Sequence, residues 1–142
     1  MAKAFLAPVV ILMSAWVGVH ADVVNVSPNE LSRLAATGVP VIDIRTAPEW
    51  KETGVLAGSR LMTFFDEKGQ VDAEAWVQKL KSTAGPSQPV ILICRTGNRT
   101  NVVSQFLSKQ VGYKTVYNAT GGIQSWLKAG FPVIASTTVA AK

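Results

Sequence analysis

The sequence predicts an α/β fold, one parallel sheet with helices on both faces. Strand-like apolar runs alternate with helix-like segments along the whole chain, the pattern of a sheet built through helical crossovers. Two of those runs, Pro40–Ile44 and Val90–Ile93, are almost continuously apolar and β-branched, as strands covered on both sides are. A capping box or a glycine-containing polar loop follows the strands, as helix starts require.

In order, Val23–Val26 reads as a short strand. Ser27, Pro28 and Glu30 supply an N-cap, a first-turn proline and an acid at the third helical position. Leu31, Leu34 and Ala35 give that helix its buried stripe, and Gly38 ends it. The strand Pro40–Ile44 carries Asp43 near its C-terminal end, where sites in α/β folds collect. Asp43 reads either as a cap or turn residue or, preferred here, as a buried acid orienting Arg45 or loop amides, since an acid this deep needs a partner. Thr46 and Glu49 repeat the capping pattern on a short helix packed down by Trp50. Gly54–Leu61 reads as irregular, with Leu61 and Met62 as a brief edge strand. Asp72 caps a helix whose face is Trp76, Val77 and Leu80, running to about Lys81. Ser82–Pro89 is a loop. After Val90–Ile93 and a polar loop, a helix from near Thr100 to Gln110 buries Val102, Val103, Phe106 and Leu107. Gly112 stops it. Lys114–Asn118 is a strand, Gly121-Gly122 a turn, and Ile123–Ala129 a helix with Trp126 and Leu127 inward. Phe131, Pro132 and Val133 dock back on the body, and residues 135–142 form a frayed tail.

At 142 residues with no repeats or linker, the chain fits one domain after its leader. Residues 1–21 have the form of a signal peptide: a positive start at Lys3, sixteen uncharged residues from Ala4 to Val19, and small or modest residues before Asp22. Cleavage would leave residues 22–142, core 23–133, as the mature chain in the periplasm or another exported compartment. An uncleaved anchor is the alternative, although the apolar stretch is shorter than the roughly 20 residues of a full span. The net charge of +5 forms no basic run, and the aromatics do not alternate with Lys and Arg as on a nucleic-acid platform. It reads as a basic soluble surface that would help gather anions. One cysteine excludes an intramolecular disulfide and any Cys-only metal site within one chain. The one histidine, His20, lies in the leader, which leaves no base for a Cys/His or Ser/His/Asp site.

The chemistry concentrates in Val90–Thr100, VILICRTGNRT. A lone buried cysteine is ordinarily packing. Here Cys94 ends a buried strand and meets Arg95, Thr96, Gly97, Asn98, Arg99 and Thr100. The two arginines and the unpaired amides of a helix start favour a thiolate. Gly97 lets the loop curl so that successive N–H groups point inward as an anion nest. Cys94 is therefore the candidate nucleophile, with residues 95–100 as its cradle and Arg99 facing the anion. Such a thiolate could take a sulfur atom from an anionic donor, hold it as a persulfide and pass it to a thiophilic acceptor, with neither base nor metal.

The chain resembles a single-domain rhodanese, a sulfurtransferase. Cys94-Arg95-Thr96-Gly97-Asn98-Arg99-Thr100 is similar to the family's active-site loop. Asp43-Ile44-Arg45 with Glu49 and Trp50 resembles its early Asp-x-Arg segment and the acidic position after it. Gly54 and Gly58 fall in its Gly-x-Ile-x-Gly-Ala segment, and Gly121-Gly122-Ile123 with Trp126, Gly130 and Pro132 resembles its C-terminal signature. The similarity spans roughly residues 23–133. It implies a three-layer fold around a five-stranded parallel sheet. It implies that Cys94 carries the sulfur, that the backbone of Arg95–Thr100 cradles it, and that Arg99 makes ion pairs or binds anion. Asp43, Arg45 and Glu49 would support the site. The implied partners are a small anionic donor such as thiosulfate and an acceptor such as cyanide, a thiol or a protein thiol, without cofactor, metal or nucleic acid, on a monomer. Related phosphatases have a loop one residue longer between cysteine and arginine, so phosphatase or arsenate-reductase chemistry is disfavoured. A persulfide carrier serving a partner protein is the alternative, and a purely structural or binding role is weaker. The sequence departs from the family pattern at Thr53, where many members have histidine, and at Ser59, usually alanine.

Overall fold

A computed structural model describes residues 22–139, and the leader reading on residues 1–21 lies outside them. Five parallel strands form one sheet: β1 (Asp22–Val26), β2 (Val41–Asp43), β3 (Arg60–Leu61), β4 (Val90–Ile93) and β5 (Thr115–Ala119), in the order β1-β5-β4-β2-β3. The α/β class and the parallel sheet are as the sequence predicts. The central strand β4 has every side chain buried. Alternation sends Val90, Leu92 and Cys94 to one face and Ile91 and Ile93 to the other, so each face has its own apolar layer.

The first layer packs α3 (Ala73–Thr83) and α4 (Asn98–Phe106) against the sheet through Trp76, Val77, Leu80, Val103 and Leu107. The indole N–H of Trp76 donates to the Met62 carbonyl, and the Tyr113 hydroxyl donates to the Ala84 carbonyl. The opposite layer packs α1 (Pro28–Ala36) and α5 (Gly122–Lys128) through Leu31, Ile123 and Trp126. Phe131 stacks on Trp126, and the Trp126 indole donates to the Pro132 carbonyl. A single turn, α6 (Ser136–Val139), follows where the sequence reading expects a frayed tail.

The capping box of α1 forms as read: the Ser27 hydroxyl accepts from the Glu30 amide, and the Glu30 carboxylate accepts from the Ser27 amide. The helix α2 (Ala47–Thr53) has the capping box read for Thr46 and Glu49. None of its residues is fully buried, and Trp50 is only half-buried, with an indole nitrogen that has no partner. Polar bonds from Arg45 and Arg99 add to the packing of Trp50 in holding α2. Val102 and Leu127 are 59% and 39% exposed, which corrects their reading as inward residues. On this helix Val103 and Leu107 are buried and Phe106 partly buried, as read; Thr100 and Ser104 join the buried stripe in place of Val102, and Leu107 opens a wide π-type turn, Leu107–Val111.

Candidate functional site

The polar loop after β4 is shorter than the sequence implies. Helix α4 begins at Asn98 rather than near Thr100, because Gly97 adopts φ +93°, a left-handed conformation that turns the chain at once into the helix. Only Cys94–Gly97 lie between strand and helix. The first helical bond of α4 runs from the Asn101 amide to the Gly97 carbonyl. The amides of Asn98, Arg99 and Thr100 therefore have no carbonyl within the helix to bond.

Cys94 is 1% exposed, on the α4 side of the sheet. Its Sγ accepts the Gly97 N–H at 3.1 Å and lies 3.4 Å from the Thr100 hydroxyl. That hydroxyl also lies 3.1 Å from the Gly97 carbonyl. Its single proton can serve either the carbonyl or the sulfur, so it can follow charge on the sulfur. One donor, the Gly97 amide, and one hydroxyl able to donate thus meet the sulfur at the C-terminal end of the central strand.

Helix α5 forms the back of the loop. The amides of Ile123 and Gln124 donate to the carbonyls of Cys94 and Arg95 at 2.8 and 3.2 Å. Those carbonyls are thereby turned away from the cradle. A Cβ on Gly122 would lie 2.6 Å from both the carbonyl carbon and oxygen of Arg95. The glycine is what permits this approach. The sequence marks Gly121-Gly122 only as a turn and signature; its role beneath the loop is a tertiary contact.

The two loop arginines differ. Arg99 is bound bidentately by Glu49 at 2.6 and 2.9 Å, and the Glu49 carboxylate also accepts from the amide and hydroxyl of Thr46. The Arg99 guanidinium holds the Glu49 carboxyl down to about 2, helped by the Thr46 amide, while partial burial opposes it. Glu49 in turn raises Arg99. Of the two roles open for Arg99, the ion pair is the one present. Arg95 is exposed, and its guanidinium has no ion-pair or hydrogen-bond partner among the described residues. It borders a pocket of about 120 Å³ with Glu49, Glu52 and Gln124.

Asp43 and Arg45 are both fully buried beneath Glu49. Arg45 Nε and Nη2 bond the Asp43 carboxylate at 2.9 and 2.7 Å. Nη1 donates to the Thr53 hydroxyl at 2.7 Å and Nη2 to the Gly54 carbonyl at 3.0 Å. Asp43 also accepts the Arg45 amide, so it is a turn residue and a buried partner at once. Arg45 thus ties β2 to the end of α2, the helix that carries Glu49. Thr53, in the histidine position of many relatives, serves Arg45 as acceptor, a use the sequence reading did not assign. Ser59 is buried and donates to the Leu56 carbonyl at 2.7 Å. Thr96 and Asn98 are exposed on the loop rim. Among the described residues no group of three His, Cys, Asp or Glu side chains converges to hold a metal ion.

This sheet order and cysteine loop define a class, and comparison with known proteins gives the family. The family profile "Rhodanese-like domain" matches residues 27–129, and the chain belongs to that family. It is 27% identical over 114 residues to rhodanese-like domain-containing protein 17 of Arabidopsis thaliana, covering 78% of this chain and 72% of that one. It is 24% identical over 116 residues to thiosulfate sulfurtransferase 18 of the same plant, covering 79% and 84%. The polysulfide-sulfur transferase homodimer of Wolinella succinogenes superimposes with a TM-score of 0.62 at 26% identity, covering 82% and 81%. The family is thus one of sulfur transfer.

Proposed function

We propose that the protein is a sulfurtransferase that moves a sulfane sulfur from thiosulfate, or a similar anionic donor, to a thiophilic acceptor through a persulfide on Cys94. The observation that carries this reading is the convergence of the Gly97 amide and the Thr100 hydroxyl on Cys94 Sγ, beside the unpaired Arg95.

Arg95 supplies the free positive charge that draws the donor to the loop. The Cys94 thiolate attacks the outer sulfur of thiosulfate. The new Sγ–S bond forms as the S–S bond to the sulfonate breaks, and sulfite leaves with that electron pair. Charge balances, since a thiolate and a dianion give a persulfide anion and a dianion. The terminal sulfur then lies toward the amides of Asn98, Arg99 and Thr100, which offer it fixed dipoles. The persulfide takes a proton from water, an acceptor thiolate attacks its terminal sulfur, the Sγ–S electrons return to Cys94 as thiolate, and the proton leaves on the acceptor persulfide. Arg99 acts through Glu49 as the clamp that fixes the loop, and Asp43 and Arg45 fix Glu49.

The test is steady-state sulfur transfer from thiosulfate to cyanide. Activity in the wild type and its loss in Cys94→Ser are expected; turnover by Cys94→Ser at the wild-type rate would overturn the mechanism. The exported location is proposed on residues 1–21, and N-terminal sequencing of the native protein tests it: a chain beginning at Asp22 supports cleavage, and one beginning at Met1 contradicts it.

A further inference from the structure

Four of the five asparagines of this chain line one groove. Asn25, Asn98, Asn101 and Asn118, with Thr96 and Thr120, enclose about 260 Å³ at the C-terminal ends of β1 and β5 and the start of α4. No charged side chain borders it. Asn25 and Asn118 are register partners on adjacent strands, and the Asn118 amide donates to the Asn25 oxygen at 2.9 Å. Asn118 is 5% exposed, yet its own oxygen has no partner, a buried acceptor that costs free energy unless something donates to it. Gly97 also borders the groove, and its amide bonds Cys94 Sγ, so the groove adjoins the rim of the sulfur cradle.

The side chains of this surface offer a small anion no counter-charge. Carboxamides and hydroxyls placed side by side offer donors and acceptors in equal supply, the complement of a peptide main chain. We propose that this groove seats the main chain of an uncharged polypeptide segment bearing a cysteine, and that this cysteine is the acceptor for the Cys94 sulfur. The proposal rests on the sulfur-transfer reading and deepens it: the peptide thiolate attacks the terminal sulfur of the protonated persulfide, leaving Cys94 as thiolate and the peptide as persulfide.

Two experiments separate the groove from the chemistry. In the first, N-acetylated, C-amidated Gly-Gly-Ser-Gly-Gly, which has no thiol, is titrated into the wild-type protein while the asparagine side-chain amides are followed by NMR. Saturable shifts at Asn101 and Asn118, absent in Asn101→Ala, are expected; no saturable shift overturns the proposal even where Cys94 takes up sulfur. In the second, kcat/KM is measured for the cysteine version of this peptide and for 2-mercaptoethanol, with thiosulfate as donor. In Asn101→Ala, an exposed position, the ratio of peptide to mercaptoethanol should fall about five- to tenfold, the effect of losing a substrate hydrogen bond. Asn118→Ala, if it folds, should do the same. Equal losses toward both acceptors overturn the acceptor role. A wild-type protein that takes up no sulfur by intact mass removes the acceptor role together with the reading beneath it, while the titration still reports on the groove.

Discussion

Glu49 and Arg99, fifty residues apart in the chain, are joined by two charge-assisted hydrogen bonds of 2.6 and 2.9 Å. Glu49 is at the third position of α2 and Arg99 in the first turn of α4. The pair therefore fastens the cysteine loop to a helix that is itself fastened to β2 by Arg45. In the proposed mechanism Arg99 therefore positions the cradle, and Arg95 is the charge that meets the donor.

If so, Arg99→Ala and Glu49→Gln damage the same device. Each should slow turnover with thiosulfate about tenfold. The double variant should be no slower than the worse single one, because interacting residues are not additive. Losses that multiply would show independent roles.

The pair also has a signature in acid. Glu49 is held at about 2 against its ordinary 4.5, so its contribution to stability is complete above about pH 5 and is lost as pH falls from 4.5 through 2. Near neutrality Glu49→Gln should cost about 1–2 kcal/mol, between the values for exposed and buried pairs. Urea unfolding across this range should show the gap between variant and wild type closing in acid. A gap that stays constant down to pH 2 would contradict the assignment.

Arg45 is fully buried, and so is its partner Asp43. Arg45→Met would leave a carboxylate without a counter-charge inside the protein. A loss of about 3–5 kcal/mol in urea unfolding is expected. A loss below about 1 kcal/mol would mean that α2 is held by other contacts.

Gly122→Ala would place a methyl group against the backbone that follows Cys94. Sulfur uptake should slow by more than about tenfold, since small displacements of a reacting group are costly. Gly58→Ala is the control. Its φ is +77°, but nothing lies within 4 Å of the added Cβ, so it bears backbone strain alone. Equal effects of the two substitutions on uptake would remove α5 from the account.

The sheet was legible because β2 and β4 carry strong apolar patterns and because Ser27 and Asp72 are local caps. What the sequence left unseen lies between elements. The early start of α4 depends on Gly97 at positive φ, which a Thr-Gly-Asn-Arg string does not by itself reveal. The service of Thr53 to Arg45 and the fit of Gly122 against Arg95 are contacts between distant segments. Val102 and Leu127 misled because an apolar residue next to a buried stripe has the same composition whether it faces in or out. The asparagine groove draws on four separated positions, and no local pattern joins them.

The most direct measurement is the intact mass of the purified protein before thiosulfate, after it, and after a later excess of thiol. The account predicts the gain of one sulfur atom on Cys94, removed by the thiol, and no gain in Cys94→Ser. An unchanged mass after thiosulfate, with Cys94 reduced and reactive toward iodoacetamide, would contradict it.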